Sequence, residues 1–190
     1  MKCIFSDSRE ELRKMLEDFG HRHPSQAPTV QEMLRRISER HDCFSRSELD
    51  GHFTGSAWLV NPANNRVLLT LHRNLKRWMQ TGGHADGDSC LLRVALREAE
   101  EESGISGIVP LSAGVFDVDI HAIPNRPDRH EPAHLHYDVR FLLQAPHEEF
   151  SISDESDDLK WWSAEEILQQ ADSMDESVQR MAKRWMENAC

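Results

Sequence analysis

Positive charge is scarce in this chain. Its 190 residues carry 22 Lys and Arg against 33 Asp and Glu, a formal net charge of −11 at pH 7. Phosphate backbones and anionic membranes demand a basic surface, so nucleic-acid polymers and membranes are not expected as partners. A nucleotide is not excluded, because a bound metal can supply positive charge locally. Long apolar runs are missing too. None is long enough to span a bilayer, and Met1 to Ser8 lacks the apolar core of a signal peptide. The four cysteines, Cys3, Cys43, Cys90 and Cys190, contain no CxxC pair. That argues against a disulfide framework or a zinc site built on them, and for reduced thiols in a cytoplasmic protein. There are no internal repeats, and the only biased segment is one acidic loop. With 38% hydrophobic and 29% charged residues, the chain has the composition of an ordinary soluble enzyme, long enough for one domain with a sizeable core and an appendage.

The informative stretch runs from Gly82 to Ile105. It begins as a loop with three glycines in six residues, Gly82, Gly83 and Gly87, whose backbone can approach a ligand closely. It continues as a helix. Asp88 or Ser89 is the expected N-cap, Leu92, Ala95, Leu96 and Ala99 recur at helical spacing, and Gly104 is the expected stop. Glu98, Glu101 and Glu102 stand at i, i+3 and i+4 and so share one side of that helix, next to its apolar stripe. Like charges so placed repel. Arg97 can pair with one of them, and a hard divalent cation such as Mg²⁺ answers the rest, since it takes carboxylate oxygens and keeps waters for a phosphate to replace. A merely solvated acidic face is the competing reading.

These residues resemble the signature of the MutT/Nudix hydrolases. Gly83 fills its first glycine, and Arg97-Glu98-Ala99-Glu100-Glu101-Glu102-Ser103-Gly104-Ile105 matches its second half without a mismatch. One position departs: the signature's first Glu, regarded as bracing the loop against the helix, is Ser89 here. The resemblance implies a Nudix-type α/β/α sandwich with a mixed sheet, spanning 49–190, preceded by an N-terminal helical extension over 1–48. It implies Mg²⁺ or Mn²⁺ held by Glu98, Glu101 and Glu102 with the Gly83 carbonyl as a further ligand. It also implies hydrolysis of a diphosphate bond in a nucleoside diphosphate linked to another group X. Glu101, assisted by Glu98, or an acid outside the signature would serve as the catalytic carboxylate, and Glu155 in the acidic loop is the choice for the latter. Two alternatives stand beside this: a non-catalytic nucleotide- or diphosphate-binding module, and a prenyl diphosphate isomerase, for which Cys90 at the helix start is poorly placed.

The flanks are read from periodicity. Ser8 to Gly20 is an expected helix with a Ser8–Glu11 capping box, His21 to Pro28 a break, and Thr29 with Glu32 a second capping box for a helix to about His41. Three roles are open for these helices: covering the sheet, forming a homodimer contact or shaping a substrate pocket. His52–Val60 and Arg66–His72 form an expected hairpin across the turn Asn61–Asn65. Strand-like residues follow between Ile108 and Ile120, then a proline-rich loop from Pro124 to Pro132 as a candidate substrate loop. Then His134-Leu135-His136-Tyr137-Asp138-Val139-Arg140-Phe141 alternates with period two. His134, His136, Asp138 and Arg140 therefore share a strand face and are candidates, with His84, for contacting phosphate or ordering a water. A solvated sheet face is the bland alternative. Lys160-Trp161-Trp162, a Ser163–Glu166 capping box and a helix from about Met174 to Asn188 complete the chain.

Overall fold

Apolar residues at helical spacing draw the first helix onto the protein. α1 (Ser8–Arg22) buries Leu12, Leu16 and Phe19. α2 (Ala27–Glu39) buries Val30, Met33 and Ile37. These elements belong to a computed structural model that describes residues 8–73, 76–125, 132–152 and 156–188. The expected break between the helices is almost absent, because a single 3-10 turn, Pro24–Gln26, joins them. Both prolines sit in first turns, where a missing N–H costs nothing. The second capping box does not form: Thr29 lies inside α2, whose N-cap is Gln26 with no side-chain cap. Gln26 instead donates to the Val118 carbonyl at 2.9 Å.

The remaining elements are β1 (Gly51–Val60), β2 (Val67–His72), β3 (Trp78–Met79), β4 (Thr81–His84), α3 (Leu91–Ser103), β5 (Val109–Pro110), β6 (Asp117–Ile123), β7 (His134–Gln144), β8 (Ser156–Trp162), α4 (Ala164–Gln169) and α5 (Glu176–Asn188). The architecture is α/β, a mixed sheet with helices and with two helices ahead of it. The chain divides into two units by contact. One comprises Met1–Gly55, Gly83–Val94 and Gly114–Phe141; the other comprises Ser56–Gly82, Ala95–Ala113 and Leu142–Cys190.

In the first unit β6 lies antiparallel to β7, with Asp117 opposite Arg140, Asp119 opposite Asp138 and His121 opposite His136. Tyr137 of β7 faces α2. Tyr137 reaches Glu32 of α2 with its hydroxyl at 3.5 Å, and its ring lies 5.4 Å from the Arg36 guanidinium carbon and 5.5 Å from the Phe53 ring. Gly55 lets β1 approach the start of α3: a Cβ there would lie 2.7 Å from the Leu91 carbonyl oxygen and 3.0 Å from Val94.

In the second unit the strand order is β3–β2–β1–β7–β5, with β8 on the other pairing edge of β2. The β1–β2 hairpin is closed as expected, Val60 opposite Val67, and the Asn61 side-chain oxygen accepts from the backbone N–H groups of Asn65 and Arg66. The strand-like stretch after α3 is two short strands rather than one, since β5 and β6 pair with different parts of β7. The tryptophans pack pairwise, Trp58 on Trp185 at 6.0 Å and Trp78 on Trp162 at 5.1 Å between ring centroids. The Ser163–Glu166 capping box is present. No described helix is long and apolar enough to cross a membrane.

Two local expectations are corrected. α3 starts at Leu91, so neither Asp88 nor Ser89 caps it. Asp86 and Gly87, at φ 51° and 90°, turn the chain once more before the helix. Asp88 then accepts from the Cys90 N–H at 2.9 Å and pairs with Arg93, while Ser89 meets Ser8 hydroxyl to hydroxyl. Cysteine is the second. Cys43 is a free, buried thiol, raised above its ordinary pKa by burial, but Cys90 is disulfide-bonded. Local spacing rules such as CxxC do not report such a bridge.

Candidate active site and a histidine cluster

The glutamate face forms on α3 as the periodicity requires. Glu98 is partly buried and accepts from Arg97 at 2.7 Å, so Arg97 relieves one of the three charges. Glu101 is exposed. Glu102 is partly buried, and its Oε1 accepts from the Gly82 N–H at 2.7 Å. Gly82 itself is required, because a Cβ there would collide with Ser56. Gly82 and Gly83, expected in a loop, lie in β4, and this strand and α3 are braced together by Glu102, while Ser89, at the position the signature gives to a bracing Glu, is engaged with Ser8. Glu100, the remaining acid of the run, accepts from the Gly107 N–H at 2.9 Å and helps close the turn after the helix. Gly104 ends α3 at φ +69°, with its N–H on the Glu100 carbonyl. The donor set on the α3 face consists of carboxylate oxygens, which suits a hard cation such as Mg²⁺ or Mn²⁺.

The alternating face of β7 is no solvated surface. Arg140 is 1% exposed and binds three carboxylates: Asp138 at 2.7 Å, Asp117 at 3.0 Å and Asp119 at 3.1 Å. Burial opposes the guanidinium charge, and the three carboxylates overcome it, leaving the pKa of Arg140 above its ordinary value. Asp138 also accepts from the Thr54 hydroxyl at 2.9 Å. Next along the same face come the histidines. His134 and His136 meet through their Nε2 atoms at 3.1 Å. His52 stacks beside them, its ring centroid 4.9 Å from His134 and 5.1 Å from His136, and 5.1 Å from His84. One ring nitrogen of each of His52, His84, His134 and His136 lies within 4.8 Å of the others. Burial and the surrounding imidazoles of His84, His121, His52 and His134 push the His136 pKa down to about 2, so this ring is neutral.

Of the residues singled out from the sequence, the structure gathers His84, His134 and His136, and it gathers Asp138 with Arg140. Glu98, Glu101 and Glu102 stand on α3. Glu155 lies outside the described residues, as does the middle of the Pro124–Pro132 loop. His52, Thr54, Asp117, Asp119 and His121 were missed. Their signal is period two: His52 and Thr54 alternate on β1, and Asp117, Asp119 and His121 on β6, in step with His136, Asp138 and Arg140 on β7.

The fold and the acidic helix define a Nudix-type enzyme, a diphosphate hydrolase. The model of the NUDIX domain matches residues 52–185, most of the chain, and the protein belongs to the Nudix family. A Nudix-family hydrolase from Clostridium perfringens is similar in structure, with 25% identity and a TM-score of 0.52, over 73% of this chain and 98% of that one. The dihydroneopterin triphosphate pyrophosphohydrolase of E. coli has 18% identity and a TM-score of 0.53, over 72% and 95%. The NUDIX domain of Shewanella oneidensis NrtR, solved with ADP ribose, has 17% identity and a TM-score of 0.53, over 82% and 97%. The last two share the fold with this chain. No curated relative matches it in sequence.

Proposed function

We propose that the protein hydrolyses the diphosphate bond of a nucleoside diphosphate linked to another group X, using Mg²⁺ or Mn²⁺ at Glu98, Glu101 and Glu102. The observation that carries this is the face of α3, where three carboxylates of the signature share one side of the helix at i, i+3 and i+4, Glu98 accepting from Arg97. The Gly83 carbonyl is carried over as a further ligand on the signature alone. When bound, the cation draws charge from the diphosphate oxygens and lowers the pKa of a coordinated water. Glu101, the exposed carboxylate of the three, takes the proton of the attacking water. Glu102 holds the glycine strand and helix in register through Gly82. Glu98 is oriented by Arg97.

The substrate in the name of one structural neighbour, dihydroneopterin triphosphate, and the ligand bound to another, ADP ribose, both contain phosphoanhydrides, in keeping with this class. On the substrate side we assign His84 and His136, which are partly exposed, to contact. His134, Asp138 and Arg140 are buried, and we assign them to positioning. We read 1–48 as an extension ahead of a Nudix domain over 49–190, in a protein of the cytoplasm. An isomerase role for Cys90 is disfavoured by its disulfide, which leaves no thiol there.

The test is release of phosphate and nucleotide from a panel of nucleotide sugars, dinucleotides, coenzyme-type diphosphates and nucleoside triphosphates, with Mg²⁺ and with Mn²⁺. Turnover of one class that needs the metal and falls roughly 10²–10⁴-fold in Glu101→Gln is the expected result. Turnover unchanged by both chelator and Glu101→Gln would refute the assignment. Metal binding and nucleotide binding without any turnover would favour a binding module.

A further inference from the structure

Four imidazoles converge in the first unit, and the proposed hydrolysis gives none of them a metal to hold. His52 comes from β1, His84 from β4, and His134 and His136 from β7, so three strands deliver them to one point. Their ligand atoms already lie within 4.8 Å of one another. Tetrahedral coordination at Zn–N distances of about 2.0–2.1 Å puts nitrogens roughly 3.3 Å apart. The His134–His136 pair stands at 3.1 Å, and small side-chain rotations bring in the others.

The outer contacts are those a metal-binding histidine needs. His134 Nδ1 lies 2.8 Å from the Pro132 carbonyl oxygen, which can only accept, so the proton belongs on Nδ1 and the Nε2 lone pair faces the cluster. His52 Nδ1 faces the Glu48 carbonyl at 3.4 Å in the same sense. Charge points the same way. Two residues along β7 from His136, roughly 7 Å away, is Asp138, and there the carboxylates of Asp117, Asp119 and Asp138 gather around the Arg140 guanidinium. A dication bound by the imidazoles would sit favourably beside those carboxylates.

We propose that His52, His84, His134 and His136 form a closed, tetrahedral site for a transition-metal dication, zinc by preference. Imidazole donors select zinc and its neighbours over Mg²⁺ and Mn²⁺, which take the carboxylate site. With four protein ligands the site is structural rather than catalytic. It ties β1, β4 and β7 together directly beside Gly82-Gly83. It is independent of the hydrolase assignment, and it replaces substrate contact by His84 and His136 with metal ligation.

The experiment loads the chelator-stripped full chain with one equivalent of zinc. Metal content, competition with a chromophoric zinc chelator and X-ray absorption at the zinc edge are then measured. One zinc per chain with a first shell of four nitrogens at about 2.0–2.1 Å is expected. In His52→Gln/His134→Gln, zinc affinity drops by more than the ~10–100-fold that outer contacts typically supply. In Glu98→Gln/Glu101→Gln/Glu102→Gln it is retained. A first shell of oxygens, or zinc kept by the histidine variant and lost by the glutamate variant, overturns the proposal. So does the absence of stoichiometric zinc in the stripped and reloaded wild type. The absorption spectrum of the wild type decides the matter even if a variant fails to fold.

Discussion

Arg140 shows how a charge survives at 1% exposure. A lone buried guanidinium is prohibitive, but this one meets carboxylates from two strands, and their desolvation is shared. Removing it should be worse than removing any one acid. In Arg140→Met the three carboxylates lose their common cation, so urea unfolding should report a loss of about 3–5 kcal/mol. Arg140→Lys should recover little of it, because a single ammonium cannot satisfy three acids with the geometry of a planar fork. A loss below about 1 kcal/mol in Arg140→Met would mean that the acids are protonated or hydrated in the folded protein. Asp138 and Arg140 were legible in the sequence as neighbours on one strand face. Their burial was not, because it depends on Asp117 and Asp119, which only the β6–β7 register brings opposite.

α3 is the element that the sequence described best. Its apolar spacing, its glutamate face and its glycine stop are all local properties, and all three are found. Its start was misplaced because the Asp86–Gly87 turn delays it, a matter of positive φ that a helical pattern does not reveal. The hairpin and the Ser163–Glu166 box were legible for the same reason: both are closed by residues a few positions apart. The histidine cluster was half legible, since three of its members were named, but His52 opened a strand whose neighbours could not be known without the sheet. The C-terminal end of α3 gives a prediction at this scale. Gly104 holds φ +69°, and a Cβ there would collide with Ser151, whose N–H bonds the Ser103 carbonyl. Gly104→Ala should lower stability by about 1–2 kcal/mol from the left-handed backbone alone, read as a fall in the thermal midpoint. Pairing it with Ser151→Gly should restore the part due to collision and leave the backbone part.

At the scale of the molecule, the open question is whether α1 and α2 are an appendage. Their buried faces argue otherwise. Leu12, Leu16, Phe19, Val30, Met33 and Ile37 are all between 0% and 3% exposed. Full burial of such side chains is worth about 1.5–3 kcal/mol each, and six of them together rival the roughly 5–15 kcal/mol by which a whole domain is stable. Polar contacts add to this. Gln26 satisfies the Val118 carbonyl of β6, Arg36 bonds the Gly51 carbonyl at the start of β1, and Glu32 receives the Tyr137 hydroxyl from β7. A family model that begins at residue 52 leaves all of this outside its bounds, though the strands inside those bounds depend on it. A chain starting at residue 49 should therefore expose the apolar face of β6 and β7 and lose cooperative unfolding. It should bind a hydrophobic dye and be protected from protease far less than the full chain. Supplying residues 1–48 as a separate peptide should restore protection in a concentration-dependent way, because the same face is then covered by mass action. A truncated chain with a sharp, native-like melting transition would instead make the two helices a true appendage, and would return their role to the homodimer or substrate contact.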